Sequence, residues 1–344
     1  MGVDGDEQGR FYCPKKTMYD ICAIGELIID FTPVGVTEQG TPLFACNPGG
    51  APGNVMACLS RLGKSAAFIG KVGKDQFGSF FKQVLGGQGM ETRGIIEAED
   101  ANTTLAFVHI NESGDRSFSF YRKNCADILL KESEIDYGLL EESRAFHFGS
   151  VSMTDEPARS ATFAAAAYAK NAGKLVSYDP NYRPNLWMQK EQAKAAMLQG
   201  MEYADVVKVS EEELAFLTGE GNIKKMGRSL CHEYDLSILL VTMGCKGACC
   251  ITKEFAIYQP TFDVKTVDTN GAGDASMGGF LFSLMEQQIN PKDITQQEAR
   301  ICLEFANATG ALATTKSGAI PAMPSYEEVL NCISRQKRCA AVLS

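Results

Sequence analysis

One stretch of the chain, residues 268–279, combines a carboxylate with the kind of backbone that binds anions. It reads Asp-Thr-Asn-Gly-Ala-Gly-Asp-Ala-Ser-Met-Gly-Gly, and the apolar run after it is typical of a helix. A glycine-rich turn that opens a helix presents unpaired backbone N–H groups at the positive end of the helix dipole. Asp274 lies in this turn, where its carboxylate can take a proton from a substrate hydroxyl. An anion hole beside a base fits phosphoryl transfer.

The alternative interpretation of Asp274 is a helix N-cap that follows a flexible turn. Gly271 and Gly273 flank Ala272, and a simple N-cap does not need that much backbone freedom. We therefore expect Asp274 to be the catalytic group and residues 271–273 to form the loop that holds the anion.

A second glycine-rich stretch, residues 47–54, also lies at a predicted helix start. It reads Asn-Pro-Gly-Gly-Ala-Pro-Gly-Asn. Such a loop suits a polar ligand that is held by backbone groups and by the amide of Asn54, and the alternative is an ordinary loop with a capping asparagine. The residues alone leave both interpretations open.

Asp30 lies near the end of the first apolar run of the chain. Residues 20–31 read Asp-Ile-Cys-Ala-Ile-Gly-Glu-Leu-Ile-Ile-Asp-Phe, which predicts one central parallel strand. Open α/β sheets bind ligands beyond the carboxyl ends of their strands. Asp30 is therefore placed either to accept hydrogen bonds from sugar hydroxyls or to cap a turn.

Two further stretches follow predicted strands and suit a nucleotide. Residues 242–247 (Thr-Met-Gly-Cys-Lys-Gly) offer backbone N–H groups to a phosphate, although hairpin turns often have the same pattern. Residues 208–213 (Lys-Val-Ser-Glu-Glu-Glu) place charges at a strand-to-helix junction. Glu213 is suited to orient a hydrated magnesium ion, and a negatively charged first helical turn is the equal alternative.

Several common nucleotide-site signatures are absent from the sequence. Cys58 stands where a P-loop ending at residues 63–65 needs its first glycine, which excludes that motif. No Gly-x-Gly-x-x-Gly follows the first strand, so a dinucleotide-binding dehydrogenase is unsupported. The His-Arg-Asp and Asp-Phe-Gly motifs of protein kinases are missing.

Composition and charge exclude several other classes of protein. The 344 residues are 45% hydrophobic and 22% charged, as in ordinary globular proteins, and the net charge of −9 disfavours nucleic acid and acidic membranes as partners. No run approaches the roughly 18 apolar residues of a membrane span. Residues 1–18 are predicted to be a flexible tail. Twelve scattered cysteines indicate reduced, buried thiols in a cytoplasmic protein, and the three histidines lack metal-ligand spacing.

The elements that must position these residues alternate between strands and helices from residue 19 onwards. This alternation predicts one α/β domain, a doubly wound and mainly parallel sheet flanked by helices. Residues 103–110 and 116–122 alternate as strands around a glycine-containing loop and predict a hairpin. Segments of about 31–46 and 100–123 are therefore expected to form a small β-sheet lid beside the main sheet.

Taken together, these motifs resemble the PfkB (ribokinase-like) family of sugar kinases, and most closely its fructokinases. The resemblance runs from about residue 19 to residue 326 and is carried by Gly25–Phe31, Asn47–Asn54, Phe68–Gly73, Gly114–Arg122, Asp179–Arg183 and, most specifically, Asp268–Asp274. It implies a ribokinase-like fold in which a β lid covers the sugar.

The resemblance also implies roles for individual residues. Asp274 would be the general base, beside an anion hole formed by Gly271, Ala272 and Gly273. The sugar would be bound by Asp30, Gly49, Gly50, Asn54, Phe118 and Arg183. The nucleotide would be bound by Lys208, Glu213, Thr242, Gly244, Gly247 and Asn307. A potassium site would be shaped by Asp268, Asn270, Ala313, Lys316 and Gly318, and Mg²⁺ would be held through water by Glu213.

One position departs from the family pattern. The common Asn-x-x-Glu is Ser210-x-x-Glu213 here, which questions Ser210 as a phosphate or metal-water ligand and leaves Glu213 in register. The expected activity is ATP-dependent phosphorylation of D-fructose to fructose 6-phosphate. The alternatives are a kinase for 2-keto-3-deoxygluconate or aminoimidazole riboside, or a non-catalytic sensor of sugar or nucleotide. Exposed lid edges also predict a homodimer through the lid.

Overall fold

The computed structural model describes residues 18–110 and 116–343. The strands in these residues are β1 (Tyr19–Ile24), β2 (Ile28–Val36), β3 (Pro42–Gly49), β4 (Ala66–Gly73), β5 (Ile95–Ala98), β6 (Thr104–Ile110), β7 (Arg116–Tyr121), β8 (Ser143–Gly149), β9 (Leu175–Asp179), β10 (Val206–Ser210), β11 (Ile238–Thr242), β12 (Ala248–Ile251) and β13 (Ala256–Gln259). The helices are α1 (Ala51–Arg61), α2 (Gln76–Gly87), α3 (Tyr137–Glu141), α4 (Ala158–Asn171), α5 (Lys190–Met201), α6 (Glu211–Thr218), α7 (Ile223–Glu233), α8 (Ala272–Glu286), α9 (Gln296–Ala313) and α10 (Tyr326–Leu343).

The main sheet has nine strands in the order β13-β12-β11-β10-β9-β8-β1-β4-β5. β1 lies between β4 and β8 and is parallel to both, with Ile21 opposite Ala66 on one side and Ala145 on the other. Only the edge formed by β11, β12 and β13 is antiparallel among the described strand pairs of this sheet. Parallel strands need both faces covered, which explains their nearly continuous apolar sequences.

Helices cover both faces of this sheet. Successive side chains of a strand point to opposite faces, so Ile21 and Ala23 of β1 join the core under α1, α8 and α9, whereas Cys22 and Ile24 join the core under α4 to α7. The predicted α/β fold, a doubly wound and mainly parallel sheet flanked by helices, is confirmed.

A separate sheet of four strands has the order β3-β2-β6-β7. β6 and β7 pair antiparallel as the predicted hairpin requires, and their connection at residues 111–115 lies outside the described residues, as does the predicted tail up to residue 17. Phe31 of β2 stacks on Phe107 of β6 with ring centroids 4.9 Å apart. This is the small sheet that the sequence predicted; its segments, about 31–46 and 100–123, overlap the observed strands.

The prediction of one strand over residues 20–31 is wrong. The run divides into β1 of the main sheet and β2 of the small sheet, so Asp30 lies within the small sheet and not at the end of a central strand. Between the two strands the chain packs closely against α1, because a Cβ on Gly25 would lie 2.5 Å from Cγ of Pro52. Glu26 adds a second contact there, since its Oε1 accepts a hydrogen bond from the Ala51 amide.

Residues 262–267, which have the sequence pattern of a strand, form no strand in the structure. The chain leaves the sheet at Pro260, which has no N–H to donate to a strand ladder. Nδ2 of Asn307 donates to the carbonyls of Gln259 and Pro260, both at 3.1 Å, and fixes the direction of the departing segment. Among the described residues, no helix has the length and apolar character needed to cross a bilayer.

Candidate active site

Asp274 lies in the first turn of α8 and is buried, with 6% of its surface exposed. Its two carboxylate oxygens accept hydrogen bonds from two asparagines of distant segments. Nδ2 of Asn54 donates to Oδ2 at 2.7 Å, and Nδ2 of Asn181 donates to Oδ1 at 3.2 Å. The carboxylate is therefore held in one orientation, and Asp274 does not serve as a simple N-cap because the cap position belongs to Gly271.

The electrostatic surroundings of Asp274 suit a base. Burial raises the pKa of Asp274 to about 6, and the nearby negative charge of Asp179 acts in the same direction. Lys208, the Asn54 hydrogen bond and Arg183 oppose this shift. A carboxyl group with a pKa near 6 is ionised at neutral pH and still has more proton affinity than an ordinary aspartate.

The turn before Asp274 presents free backbone donors. Gly271 has φ 73°, a left-handed conformation that glycine adopts without strain. Within the described residues, the amides of Gly271, Gly273 and Asp274 have no hydrogen-bond acceptor. Ala272 differs, because its N–H donates to the Thr269 carbonyl at 3.3 Å. The predicted loop 271–273 thus has the geometry of an anion site at a helix N-terminus.

Lys208 brings a positive charge to the same turn. It is buried in the middle of β10, and its Nζ lies 3.1 Å from the position that a Cβ on Gly273 would occupy. Nζ donates to Oδ2 of Asp179 at 2.6 Å. Burial disfavours the ammonium, but the charges of Asp179, Glu213 and Asp274 outweigh burial and raise the pKa of Lys208. The side chain is therefore a permanent cation beside the anion site.

Three connected spaces surround Asp274. The inner cavity, a narrow space of about 50 Å³, is lined by Glu26, Ile28, Asp30, Gly50, Ala51, Asn54, Phe118, Phe120, Val151, Asn181, Arg183, Leu186, Asn270 and Asp274. The central cleft, of about 660 Å³, shares Phe118, Asn181, Arg183, Asn270 and Asp274 with it and adds Lys208, Glu213, Thr242, Gly271 and Gly273. The outer cleft, also about 660 Å³, is lined by Thr242, Gly244, Gly247, Gly273, Asn307, Ala311 and Thr314 among others.

The residues predicted to bind sugar meet at the inner cavity. The cavity is lined by five of them: Asp30, Gly50, Asn54, Phe118 and Arg183. The sixth, Gly49, lies against Asp30, because a Cβ on Gly49 would be 2.8 Å from Oδ2 of Asp30. Burial raises the pKa of Asp30 to about 6, while the Asn270 side chain and Arg183 lower it. Gly50 has φ 116°, and a Cβ there would lie 2.3 Å from the Glu26 carbonyl oxygen, so only glycine fits.

Glu213 has a structural role that the sequence left as an alternative. It forms a capping box with Ser210, in which Oγ of Ser210 accepts from the Glu213 amide and Oε2 of Glu213 accepts from the Ser210 amide. Oε1 accepts from the Tyr182 amide at 2.6 Å. The serine that departs from the family pattern is thus the cap of α6. Glu213 also lines the central cleft, so a contact with metal-bound water stays a prediction.

The predicted potassium group is only partly brought together. Oδ1 of Asp268 accepts from the Asn270 amide at 2.7 Å, and Oδ2 accepts from the Gly318 amide at 3.1 Å. Lys316 extends outward and pairs with Glu328 at 2.8 Å. Ala313 is buried at the end of α9. The Asp268 carboxylate thus links residues 270 and 318, and a potassium site formed by carbonyls and this carboxylate stays a prediction. In the described residues, His, Cys, Asp and Glu side chains form no cluster of three suited to a metal.

Sequence reasoning missed three residues of the site. Asp179 pairs with Lys208, Asn181 holds Asp274, and Glu26 lines the inner cavity. The run 179–183 carries part of the family resemblance, but only its arginine was assigned a role. Asn181 follows a proline at a strand end and has φ 47°, and an asparagine in such a place was the available signal. Glu26 is the only charged residue of the run 21–29, and a charge within an apolar run was the available signal.

Comparisons with known proteins agree with this geometry. A family model described as pfkB family carbohydrate kinase matches residues 18–325. "Probable fructokinase-3" of Arabidopsis thaliana is 44% identical over 323 residues, which are 92% of this chain and 92% of that protein.

Solved structures extend the likeness to three dimensions. A fructokinase from Xylella fastidiosa with bound ATP has a TM-score of 0.86 and 35% identity, covering 93% of this chain and 100% of that one. A fructokinase from Vibrio cholerae O395, in its form with fructose, ADP and calcium ion bound, has a TM-score of 0.82 and 34% identity, covering 92% and 100%. The chain therefore belongs to the pfkB family of carbohydrate kinases.

Proposed function

We propose that this protein is a fructokinase that transfers the γ-phosphoryl group of ATP to the primary 6-hydroxyl of D-fructose. The observation that carries the proposal is the position of Asp274, which lies where the inner cavity meets the central cleft. A sugar in the inner cavity and a nucleotide in the outer cleft would have their reacting groups on either side of this carboxylate. The similar proteins named above are fructokinases, and the structure from Vibrio cholerae holds fructose and ADP.

In the proposed step Asp274 accepts the proton of the sugar hydroxyl as the oxygen attacks the γ-phosphorus. The new O–P bond forms while the bond between the γ-phosphorus and the β,γ-bridging oxygen breaks, and ADP leaves with that oxygen. Asn54 and Asn181 keep the carboxylate aligned during the transfer. Proton transfer by a positioned base of this kind contributes about 10²- to 10⁴-fold to the rate.

The negative charge on the γ-phosphoryl group is proposed to be stabilised by the loop 271–273 and by Lys208. The free amides of Gly271, Gly273 and Asp274 and the ammonium of Lys208 face the central cleft. Such preorganised donors stabilise the transition state because they need no rearrangement when the charge develops. Glu213, which lines the central cleft, would hold Mg²⁺ through water, and the ion would supply positive charge to the phosphates of the nucleotide.

The small four-stranded sheet is proposed to act as a lid. It places Asp30 and Phe118 at the wall of the inner cavity, so its position determines how open the sugar site is. Closure would exclude water and limit the hydrolysis of ATP. The exposed strands of this sheet also support a homodimer through the lids.

The proposal extends to the compartment and to a monovalent ion. We propose a cytoplasmic location, because the described cysteines are free thiols and most of them are buried. The link between the Asp268 carboxylate and the Gly318 amide supports a potassium site formed largely by backbone carbonyls.

The experiment that tests the function is an assay coupled to ADP release, run with ATP and a panel of sugars. Wild type should turn over D-fructose, and Asp274→Asn should lose about 10²- to 10⁴-fold in kcat while its Kd for fructose stays within a few-fold. Asp235→Asn, an exposed surface change, is the control. Near-normal turnover by Asp274→Asn would refute the role of the base.

The sugar panel separates the remaining functions. Stimulation by 2-keto-3-deoxygluconate or aminoimidazole riboside in place of fructose would leave a kinase with another substrate. Binding of sugar and ATP without any ADP production would indicate a sensor, and it would overturn the enzymatic proposal.

A further inference from the structure

Two polar atoms in the inner cavity have no hydrogen-bond partner. Oε2 of Glu26 and Oδ1 of Asn54 are fully shielded from solvent and accept nothing from the described residues. Glu26 has 2% and Asn54 5% of its surface exposed, and both residues line the inner cavity. Buried polar atoms without partners are rare in folded proteins, because each costs about 1–3 kcal/mol.

The other half of each side chain is already engaged. Oε1 of Glu26 accepts from the Ala51 amide at 2.8 Å, at the beginning of α1. Nδ2 of Asn54 donates to Asp274 at 2.7 Å. These bonds anchor both side chains at the beginning of α1, and both residues line the inner cavity.

We propose that Glu26 is a further sugar-binding residue, whose Oε2 forms a hydrogen bond with a hydroxyl of the acceptor sugar while Oδ1 of Asn54 accepts from a neighbouring hydroxyl. This inference rests on the proposed function and extends its substrate site by one residue. The ligand class is a polyol with at least two hydroxyls, since each hydroxyl can donate only one hydrogen bond and there are two acceptors.

The charge of Glu26 supports a ligand contact. Burial raises the pKa of Glu26 to about 7, although the Ala51 amide and Arg122 lower it. A buried carboxyl oxygen without a hydrogen-bond partner is unfavourable in such a site, and a sugar hydroxyl relieves this penalty. A site built around a polar substrate group discriminates strongly against analogues that lack the group.

Glu26→Gln separates the sugar contact from the helix cap. The amide oxygen of glutamine can still accept from the Ala51 N–H, but the second oxygen is replaced by an NH₂ group. We expect the Kd for fructose, measured by calorimetry without ATP, to rise about 10- to 100-fold, with kcat at saturating fructose within about three-fold of wild type. The melting temperature should change little.

Glu298→Gln is the matched control, because Glu298 also accepts from a backbone N–H at a helix start and lies outside the inner cavity. It should leave Kd and kcat unchanged. An unchanged Kd for Glu26→Gln would overturn the inference, and the proposed function would stand. No turnover of fructose by wild type would instead refute the proposed function.

Analogues of fructose test whether the contact is direct. Wild type and Glu26→Gln are titrated with 1-deoxy-, 3-deoxy- and 4-deoxy-D-fructose and with 2,5-anhydro-D-mannitol. One analogue should bind wild type more weakly than fructose does. For this analogue the Kd values of wild type and Glu26→Gln should be equal, because the hydroxyl that Glu26 contacts is already missing. An equal loss for every analogue would show that Glu26 acts only through the structure, and the inference would fail.

Crystallography of wild type with fructose keeps the inference testable if the variant does not fold. A sugar hydroxyl within about 3.2 Å of Oε2 is expected. A water molecule bound by Oε2, with every sugar oxygen beyond that distance, would overturn it.

Discussion

The pKa of Asp274 sets the pH at which the site can work. Burial and the charge of Asp179 raise this pKa to about 6, and a base is active only when ionised. We therefore expect kcat/KM to rise with pH through about 6, where Asp274 and Asp30 ionise, and to level off above pH 7, near the pKa of Glu26. The same shift destabilises the folded protein as pH rises from about 4 through 6, because the ionised carboxylate is less favourable in the fold than in the unfolded chain. A pH profile of kcat/KM over pH 4.5–8 measures the midpoint.

Lys208→Met provides a second test of this electrostatic balance. The ammonium lowers the pKa of Asp274, so its removal should move the acid midpoint of kcat/KM to higher pH, in addition to reducing the rate. Lys74→Met, at an exposed surface pair, should leave the midpoint in place. A midpoint that does not move would show that Lys208 has no electrostatic effect on the base.

Single residues were predictable where their chemistry is local. Asp274 and its glycines follow each other in the chain, so the motif alone indicated an anion site beside a base. Asn181 and Asp274 are separated by 93 positions, and their contact depends on the arrangement of the whole sheet. The same holds for the pairing of Asp179 with Lys208.

At the scale of elements, the start of α1 depends on Gly50. Its φ of 116° and the 2.3 Å separation between a would-be Cβ and the Glu26 carbonyl leave no room for a side chain. Gly50→Ala should lower the free energy of unfolding by more than about 1 kcal/mol and raise the KM for sugar, since Asn54 and Glu26 both depend on this turn. Urea denaturation and steady-state kinetics measure the two effects.

Gly86→Ala is the contrasting variant. Gly86 lies within α2, and a Cβ there would meet no atom within 4 Å. Alanine should stabilise the protein by roughly 0.5–1 kcal/mol through helix propensity and leave the kinetics unchanged. Equal effects of the two substitutions would show that the turn at Gly50 is not sterically restricted.

Most helices and strands could be predicted from apolar periodicity, but the first run could not. Residues 20–31 keep the apolar character of a buried strand across the break, because most of β1 and the first two residues of β2 are buried. At the break Gly25 and Glu26 contact Pro52 and Ala51, which lie beyond β3 in the chain. Local pattern contains no information about such a contact, and the position of Asp30 was misjudged for that reason.

At the scale of the whole molecule, Arg122 attaches the small sheet to the rest of the protein. It follows β7, and its Nε donates to Oδ2 of Asp127 at 2.7 Å. Its Nη1 donates to Oγ1 of Thr154 at 2.6 Å and its Nη2 to the Val151 carbonyl at 2.9 Å. The guanidinium is almost fully buried, with 6% of the side chain exposed.

Arg122→Ala should cost about 3–5 kcal/mol of unfolding free energy, because it leaves the charge of Asp127 buried and unpaired. Hydrogen exchange should also become faster in β6 and β7. Arg93→Ala is the comparison, since Arg93 pairs with Asp136 and Glu142 but is 40% exposed, and it should cost about 1 kcal/mol or less. Similar costs for the two variants would show that the buried attachment adds no stability.

The overall fold was the most predictable level, since repeated strand and helix alternation admits few arrangements of a parallel sheet.

The hydrogen bond between Asn54 and Asp274 also has a consequence for synthesis on the ribosome. The two residues are 220 positions apart, and chains grow at about 5–20 residues per second, so Asn54 precedes its partner by roughly 10 to 45 seconds. During this interval α1 and its glycine turn are present without the carboxylate that completes the site. The site is therefore assembled only after α8 has been synthesised, and a prematurely terminated chain that lacks α8 has no Asp274 carboxylate at the inner cavity.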